Sequence, residues 1–360
     1  MKMNKSFKIV FCLCFLMVQL VGAQEDRGYK IYQFPANMIP RIDGNTDDWK
    51  NFPEEYVVRT DQLWDDSGKY PAPDPKNLDV KVKVAWVSGM NRLYFLYEAY
   101  DDYWDFTLPG LHNDIFEIVV DGDMSGGPLI DEQHLNQSLD WRTRYFEFHG
   151  VHAQNYHIFT PAVGKDWALA WGCQPWIKKL PYSNIAYSYN FKPGESGKLI
   201  AEFWITPFDY AGQEGPERAV ESVLLDNKKV GLTWAIIDYD DVNDEKKKGF
   251  WNLSKHHKMY GNPSLGTVFT LMPLEAKYQK SFEAGWSHVV VDKKKRLVAF
   301  NDESKGKISK WHWDFGDKTY SEEQNPFHKY EKPGKYIVVL TIEGPDGKSR
   351  MANVWDVAVE

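Results

Sequence analysis

The stretch "DVKVKVAWV" (79–87) alternates Val with Lys over consecutive positions, and that period of two constrains the fold more than any other feature. Successive strand side chains point to opposite faces, so the pattern specifies a strand with one buried face and one wet face. "RLYFLYEAY" (92–100), "DIFEIVVDGD" (114–123), "RYFEFHG" (144–150), "KLIAEFWITP" (198–207) and "VGLTWAIIDYD" (230–240) extend the series. Clusters of Gly, Pro, Asn and Asp separate them, as turns require. The last two are nearly continuous apolar runs, which suits strands covered on both faces. A short helix is expected only in "QEGPERAVESVLL". No repeat of 20–50 residues and no low-complexity tract interrupts the pattern. The fold class is all-β, built from β-sandwiches.

The 360 residues suffice for two or three domains with cores of their own. Strand-like "GTVFTLMPL" ends near residue 274, the segment "EAKYQKSFEAG" is polar, and new strands begin near Ser287. The expected organisation is a leader at 1–23, a large sandwich at 24–275, a linker at 276–283 and a small sandwich at 284–360. The leader follows from Lys2, Lys5 and Lys8 ahead of "IVFCLCFLMVQLV" and the small residues "VGA". That apolar run is shorter than the roughly 20 residues a spanning helix needs, and no later stretch is better. An exported protein without a membrane-spanning segment is expected, whether secreted, periplasmic or bound at the cell surface. Cys12 and Cys14 belong to the leader, which leaves Cys173 without a partner for a disulfide. A net charge of −8 without a basic stripe argues against nucleic acid as a partner.

"WHWDFGDKTY" (311–320) sets aromatics beside carboxylates, as a glycosidase cleft would and as a sandwich core ending in a turn would. Trp311, Trp313 and Phe315 share one face of a strand, and Asp314 and Asp317 stand where turn amides need acceptors. Tyr336, Val338, Leu340 and Ile342 alternate likewise in "YEKPGKYIVVLTI". The series "VAFNDES", "WHWDFGD" and "NPFHKYEKPGKYIVVLTI" resembles the PKD domain, an immunoglobulin-like sandwich. The resemblance implies structural roles for the acids and a spacer or weak protein-contact surface. Lys318 stands where that family usually has Gly.

"PRIDGNTDDWKNF", "NRLYFLYEAYDD", "NDIFEIVVDGD", "KLIAEFWITPFDY", "KVGLTWAIIDYDD" and "GNPSLGTVFTL" occur in order and together resemble family 9 carbohydrate-binding modules. Trp49 is expected to anchor the opening segment and Asp43-Gly44 to form a turn. Glu117 lies among aliphatics on its strand face, and the resemblance implies a contact from it to a sugar hydroxyl. It also implies a clamp of two aromatic rings. Leu111 occupies one aromatic position, so Trp104 is the substitute, and Tyr260 or Trp251 is available for the other. Trp64, Trp141, Trp167, Trp171 and Trp176 also fall in or near loops and are candidate platforms.

"DGDMSGGPLIDE" places Asp121, Asp123, Ser125, Gly126 and Glu132 at the spacing of an EF-hand calcium loop. A preceding strand, Pro128 within the loop and no obvious following helix fit an acidic hairpin turn equally. The acidic loop "DYDDVNDE" offers Asp238 and Asp240, and the resemblance implies structural calcium as the cofactor. Signatures of metalloproteases, serine hydrolases and phosphate loops are absent, and the His149, His152 and His157 spacing is not that of a zinc site. The expected function is an exported, non-catalytic protein that binds poly- or oligosaccharide for its breakdown. A glycoside hydrolase or accessory subunit, an adhesion scaffold and a haem-binding sandwich using Met90 or Met124 are the alternatives.

Overall fold

Val80, Val82 and Val84 are buried while Lys81 and Lys83 stay partly exposed, as their alternation requires. The computed structural model describes residues 25–107, 110–127, 137–241, 243 and 246–357. The expected leader and Glu132 lie outside the described residues. Two compact units divide between Leu274 and Glu275.

In the first unit, β1 (Glu25–Gln33), β2 (Val58–Arg59), β3 (Leu78–Trp86), β4 (Leu93–Asp101) and β5 (Ile115–Asp121) come first. The helix α1 (Trp141–Phe148) precedes β6 (Gln154–Phe159), β7 (Ala168–Ala170), β8 (Ser183–Tyr189) and β9 (Gly197–Ile205). A hairpin of β10 (Phe208–Tyr210) and β11 (Val220–Glu221) leads to β12 (Lys229–Asp238), β13 (Gly249–Asn252) and β14 (Thr267–Leu271). The strand path is β7-β6-β5-β12-β14-β1-β3-β4-β9-β8, with β13 beside β12 and β2 beside β3. Strand β1 joins two layers. Its Tyr29 to Ile31 pair in parallel with Phe269 to Leu271, and its Tyr32 and Gln33 then pair with Ala85 and Trp86.

The layers meet over a shared apolar core. Phe95 stacks on Phe203 within one layer, and Tyr97 stacks at 4.5 Å on Phe116 of the other. Each such fully buried side chain contributes about 1.5–3 kcal/mol over its exposed state. The apolar runs β9 and β12 are interior strands, as expected, between β4 and β8 and between β5 and β14. On the far face of the β3-β4-β9 layer, Trp49 anchors the opening segment. Its Nε1 donates to Glu202 Oε1 at 2.8 Å, and the Asp43 and Gly44 amides donate to Oε2 at 3.0 and 3.1 Å. Gly44 has φ +77°, the turn conformation that its position predicted.

Two local expectations are overturned. "RYFEFHG" is not a strand, because residues 141–148 form α1, where the Asp140 carboxylate accepts the Thr143 amide at 3.1 Å. That N-cap outweighs the short Phe-Glu-Phe alternation. Nor does "QEGPERAVESVLL" form an α-helix. Gly215 at φ +92° and Pro216 open a single 3-10 turn, and Glu221 then pairs with Phe208.

The second unit stacks β15 (Trp286–Asp292), β16 (Leu297–Asp302) and β19 (Phe327–Lys329) against β18 (Tyr320–Ser321), β17 (Lys310–Asp314), β20 (Gly334–Gly344) and β21 (Gly347–Val357). Trp286, Phe300, Trp313, Phe315, Tyr330, Val338, Leu340 and Ile342 fill the space between the sheets. Trp311 is only half-buried and donates to Asp302 at 2.7 Å. Asp314 and Asp317 accept the Gly316 and Thr319 amides, so both acids serve the turn. Lys318 takes φ +72°, the left-handed conformation in which Gly would be unstrained. The segment expected as a linker ends inside this unit, with Phe282 against its core and Glu283 bridged to Lys305.

Candidate functional site

The antiparallel registers of β5 put Glu117 between His157 of β6 and Ala235 of β12, and Asn252 of β13 lies next to Ala235. Directly paired residues share a face. Phe116, Ile118 and Val120 point into the core, so this row lies on the outer face of the sheet. Two apolar clusters bracket the polar row. One holds Ile115, Phe159, Ile237 and Tyr239 with Leu111, Leu169 and Phe250, and the other holds Val119, Ala153, Ala235 and Met259 with Phe250 and Tyr260.

Within the row, the Asn155 amide donates to Glu117 Oε1 at 3.0 Å, and Asn155 Oδ1 pairs with His149 Nε2 at 3.0 Å. His157 Nδ1 stands 3.9 Å from Glu117 Oε1, beyond a direct hydrogen bond. Both His157 ring nitrogens and Asn252 Oδ1 are buried without a hydrogen-bond partner. Burial works to raise the Glu117 carboxyl, but His157 and the Asn155 amide outweigh it and hold the group below its usual range. Burial pushes His149 down to about 4, so it is neutral at pH 7. The result is an ionised acceptor beside amide and imidazole nitrogens under low exposure. Half-buried rings of Trp171 and Tyr260 border it, Trp171 standing edge-on to His157 at 6.0 Å. The outer face continues past Phe159 into a cleft of about 610 Å³, lined by Leu111, Phe159, Val163, Lys165 and Leu169 among others.

The structure brings Glu117 and Tyr260 together but removes the other two expected sugar contacts. Trp104 is 1% exposed, stacked on Phe191 at 4.9 Å, with its Nε1 donating to the Gly197 carbonyl. Trp251 is buried in the central core, and its Nε1 donates to Pro71. Neither ring has a face to offer a ligand. Trp171 was among the candidate platforms, whereas Asn155 and His157 were not expected as contacts. Their signal was the pairing register of β6 on β5, which single-strand periodicity does not contain.

A second cluster lies at the strand ends. Asp101 closes β4, Asp114 precedes β5 and Asp238 closes β12, with carboxylate oxygens within 4.8 Å of one another. Asp101, Asp102 and Asp240 form an adjoining group. Asp114 accepts the Asp105 and Tyr239 amides at 2.6 and 2.9 Å. Asp101 Oδ2, Asp238 Oδ1 and Asp240 Oδ1 are buried without partners. Burial and mutual repulsion push Asp101 to about 9 and Asp238 to about 8, and Asp114 well above its usual range. Several buried acids with unpartnered oxygens form an all-oxygen donor set of the kind a hard divalent cation takes. Asp238 and Asp240 were expected here, whereas Asp101 and Asp114 come from separate strands. Asp121 and Asp123 stand outside both groups. Asp121 Oδ2 accepts the Gly126 amide and Asp123 the Ser125 amide, both within the loop that follows β5.

Comparison with known proteins bears on both units. Residues 290–359 match the PKD domain family model. The second unit carries that domain. A stretch of 43 residues is 49% identical to the collagenase ColQ1 of Bacillus cereus (strain Q1), covering 12% of this chain and 4% of the collagenase. The PKD1 domain of the Vibrio cholerae metalloprotease PrtV aligns over 22% of this chain and 100% of its own length, at 25% identity and TM-score 0.21. A family 9 carbohydrate-binding module from Caldicellulosiruptor kristjanssonii, solved with cellotriose, aligns over 70% of this chain and 97% of its own. Its identity is 14% and its TM-score 0.44.

Proposed function

We propose that the protein is an exported, non-catalytic carbohydrate-binding protein, with its sugar site on the outer face of the β6-β5-β12 sheet. The observation that carries the reading is the Glu117 row. An ionised carboxylate, held in place by the Asn155 amide, and two unpartnered His157 nitrogens offer an acceptor and imidazole groups to sugar hydroxyls. Trp171 and Tyr260 border them with ring surface for the apolar faces of a pyranose. Calcium is proposed at Asp101, Asp114 and Asp238, joined by Asp240. It would supply charge neutralisation at the strand ends, and these residues would take no part in holding sugar. The PKD domain is proposed as a spacer or protein-contact module.

The test is titration of the full chain with the panel of a glycan array, followed by glucose and cellotriose, the latter held by the similar module. The native protein should bind at least one glycan and release no sugar from it. Glu117→Gln should weaken that binding at least tenfold, since a hydrogen bond to a charged group contributes about 1.5–3 kcal/mol. Unchanged affinity in folded Glu117→Gln would remove the row as the site.

A further inference from the structure

Beyond the row itself, helix α1 carries a pile of rings that the sugar site does not use. Trp141 is 62% exposed and stacks on Tyr145, with centroids 5.3 Å apart and planes 29° from parallel. Tyr145 in turn meets Trp171 edge-on at 5.7 Å and His149 at 5.1 Å. His149 pairs with Asn155, which bonds Glu117. One continuous line of rings and amides thus runs from the solvent end of α1 to the buried carboxylate.

Ordinary packing does not account for Trp141, because no core covers most of its ring. The pile beneath it nevertheless fixes its orientation, and the Asp140 cap fixes the start of the helix. Arg144, one turn on, donates from Nη1 to Gln137 at 2.8 Å and keeps a buried Nε without a hydrogen-bond partner. An oriented flat ring with most of its surface open to solvent suits stacking by the apolar face of a pyranose.

We infer that Trp141 is a chain-length-determining subsite, on which a distal residue of an oligosaccharide stacks while the proximal residue occupies the Glu117 row. The inference rests on the proposed sugar site. It predicts that the protein gains affinity with each added sugar until the chain reaches Trp141, and no further.

Calorimetric titration of the full chain with glucose, cellobiose, cellotriose and cellotetraose, and with the matching xylo-oligosaccharides, tests it. In the series that binds, native affinity should rise with length. Trp141→Ala should leave the shortest bound sugar unaffected and weaken the longest about tenfold, within the range measured for lost stacking on aromatics. Trp141→Phe should keep most of the gain. At an exposed position neither change threatens the fold. A length gain that survives in Trp141→Ala, an affinity independent of length, or equal losses at every length would each overturn the subsite. In those cases binding that Glu117→Gln abolishes would leave the parent site standing. Absence of binding to both series would overturn the subsite, and absence of binding to every glycan of the array would overturn the parent site as well.

Discussion

Trp104 and Tyr260 both stand in loops ahead of strands, and sequence position treats them alike. Burial separates them. Trp104 fills the space beside Phe191, whereas Tyr260 stays half-exposed against the cluster that flanks Glu117. His149 is the residue whose placement has a measurable pH signature. Its folded value near 4 lies below the unfolded value near 6.5, so the unfolded chain binds more protons between them. The stabilisation is complete above the unfolded value and is lost as pH falls from about 6.5 towards 4, by up to about 3 kcal/mol. Urea unfolding of native protein and of His149→Gln, at about pH 7.5 and about pH 4.5, should show the larger loss in the native protein. Equal losses would mean that the imidazole is solvated.

At the scale of elements, the acid cluster joins ends of three strands. It takes Asp101 from the layer of β3, β4 and β9, and Asp238 and Asp114 from the opposite layer. Without a cation, burial and mutual repulsion keep these carboxyls protonated well above their usual range, and a cation that binds only the folded state stabilises by mass action. Calcium at 100 times its dissociation constant should add about 2.7 kcal/mol and raise the melting temperature of the first unit relative to chelator. Asp101→Asn with Asp238→Asn should abolish the shift. A calcium shift unaltered in that double variant would place the ion elsewhere. How much of this was legible follows from the same distinction. Strand identity, the sandwich class and the PKD core were readable because period-two alternation and turn residues are local signals. Asp238 and Asp240 were readable as an acidic loop. Asp101 and Asp114 were not, since only folding brings those three strand ends together. The helix α1 was missed because its cap, Asp140, precedes a stretch whose own alternation points to a strand.

For the whole molecule, two separate cores predict two separable unfolding events. Trp313 is fully buried, with its Nε1 donating to the Glu323 carbonyl. Trp313→Ala should cost the PKD domain about 3–5 kcal/mol, as loss of a large core aromatic does, and leave the transition of the first unit in place. Calorimetry of the full chain reads both events at once, and an unmoved PKD transition would contradict the buried assignment. Strand β1 has a further consequence, which concerns time. Its Tyr29 pairs with Phe269, so one of the first strands synthesised finds its neighbour only after nearly the whole unit has emerged. Until β14 arrives, the two layers have no continuous hydrogen-bonded seam, and such non-local pairing is slow to form. The parallel seam through β1 therefore closes last in this unit, after residue 271 has been made, however early the β3-β4-β9 and β5-β6 antiparallel pairings form.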